Sequence, residues 1–359
     1  MTDANNPTAP SLDMDAVAAM QRRIWAYRQG QQVQLMMHIG KRLELWEALR
    51  GAGPVSAAQL ADATDLSERW LLEWLRCMAA ADIIASSDGE VFHLSDEAAA
   101  VMAPSSMLTY AGSAMERPRS PETVDHILES FRKGVGMSYD DHGAHEAAHV
   151  EAAFGNWIAH ILVPQFVPKV EGLTAKLEAG ARVADVGCGA GSALRLLAEA
   201  FPNGSYHGYD LSEHAIELAR KRATQSGSDV SFFEAGSDAM EGEYDVVLTF
   251  DCLHDMTRPD RAVADIRSHI ADDGVLLVKE IRSAATFEEN RANPMLAMMY
   301  ATSIQVCMSS ALSEPDGLGL GTLGLHPDRL TELMLDGGFS TVETHAFDDP
   351  FNLYYEVRP

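Results

Sequence analysis

A glycine cluster behind a carboxylate is the segment best suited to hold a ligand. Asp185 is followed by Gly187, Gly189 and Gly191, and a helical pattern begins at Ser192. Glycines allow a tight turn and a close approach of the ligand to the backbone, and a helix start supplies free N–H groups. The spacing G-x-G-x-G departs from the G-x-G-x-x-G of dinucleotide sites. The loop is therefore predicted to face a group of amino-acid size rather than a pyrophosphate.

A second carboxylate, Asp210, ends the next predicted strand. At that position it can accept hydrogen bonds from both hydroxyls of a ribose. With these features in strand-loop-helix-strand order, the region from about residue 170 to 359 resembles the class I S-adenosylmethionine-dependent methyltransferases. In that family the glycine loop cradles the methionine part of the cofactor, and the acid matching Asp210 binds ribose. The resemblance further implies that Asp238 meets the adenine amine and that Phe250 and Asp251 lie beside the adenine and the sulfonium. The implied cofactor-binding set is Asp185, Gly187, Cys188, Gly189, Gly191, Asp210, Leu211, Ser237, Asp238, Phe250 and Asp251.

A histidine follows the fourth strand of this region, and an acid lies near the end of the fifth. His254 lies in the segment Cys-Leu-His-Asp-Met, and Glu280 closes the run VLLVKE. Neighbouring strands run about 4.8 Å apart, and both segments lie at carboxyl ends. A neutral imidazole can take a hydroxyl proton as a methyl group arrives, with Glu280 or Asp255 fixing its tautomer. Two alternatives stay open: His254 as a scaffold residue under the cofactor, and Asp255 as a helix N-cap.

The Leu-His-Asp segment adds a more specific resemblance. The chain is similar to small-molecule O-methyltransferases that carry an N-terminal winged-helix dimerisation domain, and to mycobacterial and actinomycete-type winged-helix methyltransferases. This resemblance implies that His254 is the general base and that Glu280 orients it. The second orienting carboxylate of the family is not evident around His326.

The elements that position these residues predict an α/β fold. The runs VADVG, SYHGYD, DVSFFEA, YDVVLTF and VLLVKEI alternate with helical patterns, which indicates a Rossmann-like, mostly parallel sheet. The runs FSTVETHAF and NLYYEVRP should pair antiparallel at its end. We divide the chain into a helical winged-helix dimerisation domain (1–105), a helical linker and pocket lid (106–170) and the cofactor-binding domain (171–359).

The first domain begins with amphipathic helices from Met14 to about Leu49, with a break expected at Gly30. Helix-turn-helix patterns capped by Ser56 and Ser67 then lead to a hairpin around Asp88-Gly89, which is a winged-helix pattern. The candidate recognition helix carries two acidic and two basic residues and an apolar face, whereas a reader of DNA needs basic and polar side chains. Packing or dimerisation is therefore favoured over DNA binding.

The acceptor side is predicted from apolar and aromatic residues. Residues 291–308 read as one helix rich in methionine, whose flexible thioethers suit an adaptable pocket. A core or dimer face is an equally good explanation for each of them. The glycine-rich residues 317–324 are expected to form a mobile loop beside the pocket. The candidate pocket residues are Trp157, His160, Met295, Met299, Tyr300 and His326.

Three histidines, His142, His145 and His149, fall on one face of a helix expected over residues 142–166. Imidazoles at this spacing could bind a metal, but no thiolate or close glutamate completes a ligand set. Pocket lining or a surface position is favoured, and no metal is predicted.

Composition narrows the class of protein. The 359 residues carry 27 Lys+Arg against 53 Asp+Glu, a formal net charge of -26, which argues against nucleic-acid or anionic-membrane binding. No run of apolar residues approaches the about 18 that a membrane span needs. Residues 1–12 read as a loose polar tail without signal-peptide features. The four cysteines form no CxxC pair. A cytoplasmic protein is expected.

Together these features predict a homodimeric enzyme that transfers a methyl group from S-adenosylmethionine, giving S-adenosylhomocysteine, to a small aromatic or apolar acceptor. A hydroxyl is the expected acceptor because of His254. The alternatives are an N-, S- or C-methyltransferase without base catalysis, a cofactor-sensing winged-helix transcriptional regulator, and a catalytically inactive binding protein.

Overall fold

A computed structural model describes residues 12–116 and 119–359. The chain forms two compact units, one up to residue 118 and one from residue 119 onward. The predicted tail falls, up to residue 11, outside the described residues. The three-part division at residues 105 and 170 stays a prediction.

The first unit is a small helical bundle with a two-stranded ribbon. Its elements are α1 (Met14–Arg42), α2 (Leu45–Leu49), β1 (Val55–Ser56), α3 (Ala57–Thr64), α4 (Glu68–Ala80), β2 (Val91–Phe92) and α5 (Asp96–Met102). A capping box between Ser56 and Gln59 starts α3, as the sequence predicts. Strand β1 pairs antiparallel with β2, and a bridge between Ala85 and His93 closes the predicted hairpin. Trp46 and Trp74 form the centre of this core, with ring centroids 5.0 Å apart.

Helix α1 is continuous, so the break expected at Gly30 is wrong. One glycine in a helix interior costs only about 1 kcal/mol, and the long helical pattern on both sides outweighs it. The Asp13 carboxylate caps the helix by accepting from Asp15 N–H at 3.0 Å. Large apolar side chains stay exposed along α1, including Ile24 and, with 66% of its surface exposed, Trp25.

The second unit alternates strands and helices. Its helices are α6 (Pro121–Lys133), α7 (Ala144–Ile161), α8 (Val167–Lys169), α9 (Leu173–Glu178), α10 (Ser192–Ala200), α11 (Glu213–Ser226), α12 (Pro259–His269), α13 (Phe287–Asn290), α14 (Leu296–Gln305), α15 (Cys307–Ala311) and α16 (Pro327–Asp336). Its strands are β3 (Arg182–Val186), β4 (Ser205–Asp210), β5 (Ser231–Glu234), β6 (Tyr244–Phe250), β7 (Ile270–Ile281), β8 (Thr341–His345) and β9 (Asn352–Arg358).

Within the described residues, these strands form one seven-stranded sheet in the order β5-β4-β3-β6-β7-β9-β8. Strands β3 to β7 pair in parallel, and β9 pairs antiparallel with both β7 and β8. The predicted α/β fold with an antiparallel end is confirmed. The strand order reverses between β3 and β6, and ligands of such sheets bind at the carboxyl ends beside this point.

Both faces of the sheet are covered, because successive strand residues point to opposite sides. Val183 and Leu248 pack into one buried cluster with α10 and α11, whereas Ala184 and Val247 pack into another with α12 and α16. The carboxyl edge of the sheet is not covered in this way, and polar side chains lie there. None of the helices that the structure describes is long and apolar enough to cross a lipid bilayer.

Two predicted helices are shorter than expected. The methionine-rich segment 291–308 divides into α14 and α15 because Val306 adopts non-helical angles (φ -135, ψ -77). The helix expected over residues 142–166 begins at Ala144 and passes at Leu162–Phe166 into a π-helix that contains Pro164. Proline lacks the N–H that a regular helical turn requires at that position.

Candidate functional site

The glycine loop after β3 depends on backbone conformations that side chains rarely adopt. Gly187, Gly189 and Gly191 all have positive φ, at 75°, 52° and 74°. A Cβ on Gly191 would lie 2.4 Å from the Phe232 ring, and one on Gly187 would lie 2.7 Å from Cys252. A Cβ on Gly189 would meet no atom within 4 Å. The loop is therefore packed on two sides and open at Gly189, as a cradle for a ligand requires.

The carboxylate of Asp210 is bound to this loop. It accepts from Gly189 N–H at 2.8 Å and from Ser212 N–H at 2.9 Å. Burial raises the pKa of Asp210, and these two backbone N–H groups oppose the rise. Asp210, the residue predicted to bind ribose, is therefore in direct contact with the predicted glycine cradle.

Asp185 lies beneath the loop and is almost completely buried. Its Oδ1 has no hydrogen-bond partner among the described residues. Burial, and then the charge of Asp210, raise the pKa of Asp185 to about 8. The Cys188 side chain is also buried, and its Sγ lies 3.7 Å from the Gly189 carbonyl oxygen. An orphaned buried oxygen beside an open cradle fits a ligand that brings its own donors.

The predicted adenine side is more exposed. Leu211 follows β4 with 76% of its surface exposed, and Asp238 is exposed in a short 3₁₀-helix after β5. Ser237 Oγ donates to Asp265 Oδ2 at 2.7 Å. The structure thus places these residues in the loops after β4 and β5, and their part in cofactor binding stays a prediction.

Asp251, directly after β6, is held by a buried ion pair. The Nζ of Lys279 donates to its Oδ2, and the Nδ2 of Asn352 donates to its Oδ1. Only 1% of Lys279 is exposed. Asp251 also has a positive φ of 52°, uncommon for a residue with a side chain. The network fixes the start of the loop that carries His254, and Phe250 packs against the core beside it.

His254 and Glu280 form a buried pair at the carboxyl edge. His254 Nδ1 lies 2.6 Å from Glu280 Oε2, and 2% of His254 is exposed. Glu280 Oε1 accepts from Leu253 N–H at 3.0 Å. Burial by itself lowers the pKa of His254, but the Glu280 carboxylate and the Cys307 thiol outweigh it and hold that pKa well above its ordinary value. Glu280 thus fixes the ring orientation, and Nε2 is the nitrogen left for other work.

Cys307 is a contact of His254 that sequence reasoning missed. Its thiol lies close enough to the His254 side chain to raise the pKa of that ring. Cys307 is buried at the start of α15. No sequence signal marks it, because α15 meets His254 only through the tertiary fold. Lys279 did carry a signal, as a charged residue inside an otherwise apolar strand.

Asp255 is not the N-cap of the following helix, so that alternative is wrong. Helix α12 begins at Pro259 with Arg258 in the cap position. Proline favours the first helical turn and holds the residue before it extended, so the start falls there. Burial first, then the charges of Glu280 and Asp210 against the opposing effect of His254, raise the pKa of Asp255 to about 7.

The predicted acceptor residues lie on several elements of the second unit, and their part in acceptor binding stays a prediction. His326 is the N-cap of α16, where its ring accepts from Arg329 N–H at 3.4 Å. His160 is exposed, and its Nδ1 lies 2.8 Å from the Asn156 carbonyl oxygen. Met295, the N-cap of α14, and Tyr300 within that helix are exposed.

The other two candidates are partly buried. The Trp157 ring lies edge-on to Phe351 at 6.1 Å, and Met299 Sδ accepts from Asn293 Nδ2 at 3.2 Å. The glycine-rich residues 317–324 are bound to the segment that carries His254, since Gly321 N–H donates to the His254 carbonyl at 2.9 Å. The loop is therefore beside the candidate base, and its mobility stays a prediction.

The histidine-rich face of α7 does not form a ligand set. In the part of the chain that the structure describes, the one group of ligand atoms lying within 4.8 Å of one another is Glu343, His345 and Glu356. There the His345 ring lies between two carboxylates, with Nε2 3.3 Å from Glu356. Residues His142, His145 and His149 are not part of such a group.

Comparison with known proteins agrees with this geometry. Residues 177–330 match the family model described as a methyltransferase domain, and residues 31–104 match the one described as an Rv2258c-like winged HTH domain. The solved structure of the mitomycin 7-O-methyltransferase MmcR superposes with a TM-score of 0.68 at 19% identity, covering 96% of this chain and 100% of that one.

Two curated relatives align with the second unit. The ubiquinone biosynthesis O-methyltransferase of Thiobacillus denitrificans is 28% identical over 187 residues, which is 50% of this chain and 74% of that protein. The trans-aconitate 2-methyltransferase of Variovorax paradoxus is 27% identical over 164 residues, 45% of this chain and 56% of that protein. Among the curated relatives matched, the aligned part spans as little as 24% of a relative's length.

Residues 177–330 therefore match a methyltransferase domain, and the sheet that contains them has the class I methyltransferase fold. The same chain carries, at residues 31–104, a match to an Rv2258c-like winged HTH domain.

Proposed function

We propose that the protein is an enzyme that transfers the methyl group of S-adenosylmethionine to a hydroxyl of a small molecule. One observation carries the proposal: His254, buried and paired with Glu280 of β7, lies in the loop that packs against the glycine cradle. Cys252 in this loop contacts Gly187, and His254 follows two residues later. A proton acceptor beside a cofactor cradle is the arrangement that methylation of a hydroxyl needs.

The residues at the carboxyl edge fit the cofactor. Gly189 is open to a ligand, Asp210 can accept from ribose hydroxyls, and Asp185 has an unmatched buried oxygen. When bound, the cofactor supplies an electrophilic methyl group on a sulfonium. Ser237, Asp238 and Phe250 are the further residues we assign to the adenine side.

His254 Nε2 would take the proton of the acceptor hydroxyl, whose oxygen would receive the methyl group that the cofactor supplies. Glu280 holds the ring through Nδ1, and its charge stabilises the imidazolium that results. Since the transfer is an in-line displacement, much of the rate comes from alignment of acceptor and methyl group. Only Nε2 is available to take this proton, because Nδ1 is bound to Glu280.

The names of the relatives support oxygen as the acceptor atom. Both the relative from Thiobacillus denitrificans and the solved MmcR are O-methyltransferases by name. Methylation of nitrogen, sulfur or carbon is the alternative, and it would leave His254 without a proton to remove.

The test is His254→Gln, which keeps polarity and approximate size but removes the base. We expect turnover to fall by about 10²–10⁴-fold while the affinity for S-adenosylmethionine, measured by calorimetry, stays unchanged. His126→Gln, on the exposed surface of α6, is the matched control. Near-full turnover of His254→Gln with normal cofactor binding would overturn the base role and favour the other acceptor atoms.

We also infer that the protein is a cytoplasmic homodimer that associates through α1. Met20, Ile24, Trp25 and Tyr27 expose a large apolar surface on this helix, which a second copy would cover. The four cysteines are free, as a reducing compartment requires. Sedimentation of wild type and Trp25→Glu tests the association: we expect a dimer that the charge dissociates, and a monomeric wild type would refute it.

DNA binding by the winged-helix unit is the less favoured role. On α4, Arg69 pairs with Glu73 at 2.6 Å, and Arg76 pairs with Glu90 at 2.5 Å. These arginines are thus already neutralised, whereas phosphate contacts need available positive charge. Salt-dependent retention of the protein on duplex DNA would reverse this preference.

A further inference from the structure

A polar cluster before and on α7 is anchored to the segment that carries Cys307. Arg119 Nη1 donates to Glu146 at 2.5 Å, and Arg119 Nε donates to Gln305 at 3.2 Å. On the other side of Cys307, Met137 N–H donates to Ser309 Oγ at 2.9 Å. Because Cys307 contacts His254, this cluster belongs to the same part of the molecule as the candidate base.

Tyr139 and His142 lie between these anchors. Their ring centroids are 6.2 Å apart. Burial, and then the charges of Asp255 and Glu146, raise the pKa of Tyr139 well above its usual range. Because the residues on either side of the two rings are bound to the segment around Cys307, we place both rings on the proposed acceptor side.

His142 has unused hydrogen-bonding capacity. Both ring nitrogens are buried, and neither has a hydrogen-bond partner in the described parts of the chain. Burial first, and then Arg119 against the opposing charges of Glu146 and Asp141, lower the pKa of His142. The ring is therefore neutral at physiological pH and offers one donor and one acceptor. Such a pair matches a hydroxyl or a carbonyl.

Charge excludes an acid as the partner of this ring. Arg119 is paired with Glu146, and Lys279 is paired with Asp251. The carboxylate of Glu280 is bound to His254, and Asp255 and Glu146 are among the acidic groups that raise the pKa of Tyr139. A carboxylate on the acceptor would be desolvated there without a new cation to meet it.

We propose that His142 is a specificity-determining residue that binds a second, uncharged oxygen of the acceptor. The acceptor is then a neutral phenol-type molecule bearing a further hydroxyl or carbonyl, and not a carboxylic acid. This inference rests on the proposed methyltransferase function and names the substrate class of the same site.

A matched trio of acceptors tests it: 2-naphthol, 2,3-dihydroxynaphthalene and 3-hydroxy-2-naphthoate. With saturating S-adenosylmethionine, we expect wild type to prefer the diol over 2-naphthol by about tenfold in kcat/KM, the value of one good hydrogen bond. The naphthoate should be the poorest of the three. Preference for the naphthoate, equal use of all three, or no methylation of the diol would overturn the proposal.

Variants then assign the preference to His142. His142→Phe should reduce the preference for the diol to about onefold while the rate on 2-naphthol stays, and His142→Gln, which keeps a donor and an acceptor, should restore it. His126→Phe is the control on the exposed face of α6. An unchanged preference in His142→Phe would refute the role. Calorimetry with S-adenosylmethionine separates this failure from failure of the proposed function, in which the cofactor would not bind.

Discussion

The cofactor side and the acceptor side of the methyltransferase domain are built differently. The centre of the proposed cofactor side is one continuous stretch, β3 to the start of α11, which would hold its ligand mainly through glycine backbone and N–H groups. The proposed acceptor side gathers single side chains from four separated segments: Tyr139 and His142, His254, Glu280, and Cys307. The first is specified by local conformation, and the second by tertiary packing and charge.

This difference means that the two sides should fail for different reasons. A change on the cofactor side acts through the path of the chain, so a single added methyl group has a large effect. A change on the acceptor side acts through proton affinity and hydrogen bonding, so its effect depends on pH and on the acceptor used.

The largest effect is expected from Gly191→Ala. Left-handed backbone costs a residue with a Cβ about 1–2 kcal/mol, and overpacking against Phe232 adds about 1–3 kcal/mol. We expect S-adenosylmethionine to bind about a hundredfold more weakly by calorimetry. Gly227→Ala is the control, because Gly227 has a φ of 70° but a Cβ there meets nothing within 4 Å. Equal affinity of the two variants for S-adenosylmethionine would contradict the proposed sensitivity of the cofactor side to the path of the chain.

Glu280→Gln should act through charge instead. The rate depends on neutral His254, so kcat/KM rises with pH through the pKa of this group, which Glu280 holds high. Removing the charge lowers that pKa, so the rise moves to lower pH, and we expect the maximal rate to fall about 10–100-fold. A pH–rate profile measures both, with exposed Glu217→Gln as control. A rise that moves to higher pH would contradict the assignment.

The smallest effect is expected from Cys307→Ala. The thiol also raises the pKa of His254, so in this variant the rise in kcat/KM should move toward lower pH. The maximal rate should stay within about threefold of wild type, the value of one modest hydrogen bond. Cys77→Ala, in the first unit, is the matched control. A shift larger than that of Glu280→Gln would show that Cys307, not Glu280, controls the base.

The same difference explains how much the sequence predicts. The strands, their alternation with helices and the antiparallel end follow from local patterns of apolar residues, and the glycine loop with Asp210 is a local motif. The pairing of His254 with Glu280 follows because β6 and β7 are neighbours in a parallel sheet. Cys307 and Tyr139 could not be foreseen, since helices α7 and α15 reach the site through contacts between distant segments. The helix break predicted at Gly30 was wrong because a single glycine only weakly disfavours a helix.

Two hydrogen bonds tie the segment around α7 to the cofactor loops. Asp140 accepts from Ser212 Oγ at 2.7 Å, just after Asp210, and Glu151 accepts from Ser192 Oγ at 2.5 Å, just after the glycine cradle. The segment that carries His142 is therefore fastened over both ends of the cofactor site. In kinetic terms, the two substrates should add in a fixed order. We expect S-adenosylmethionine to bind first, because the segment held against the cofactor loops also carries His142, on the proposed acceptor side.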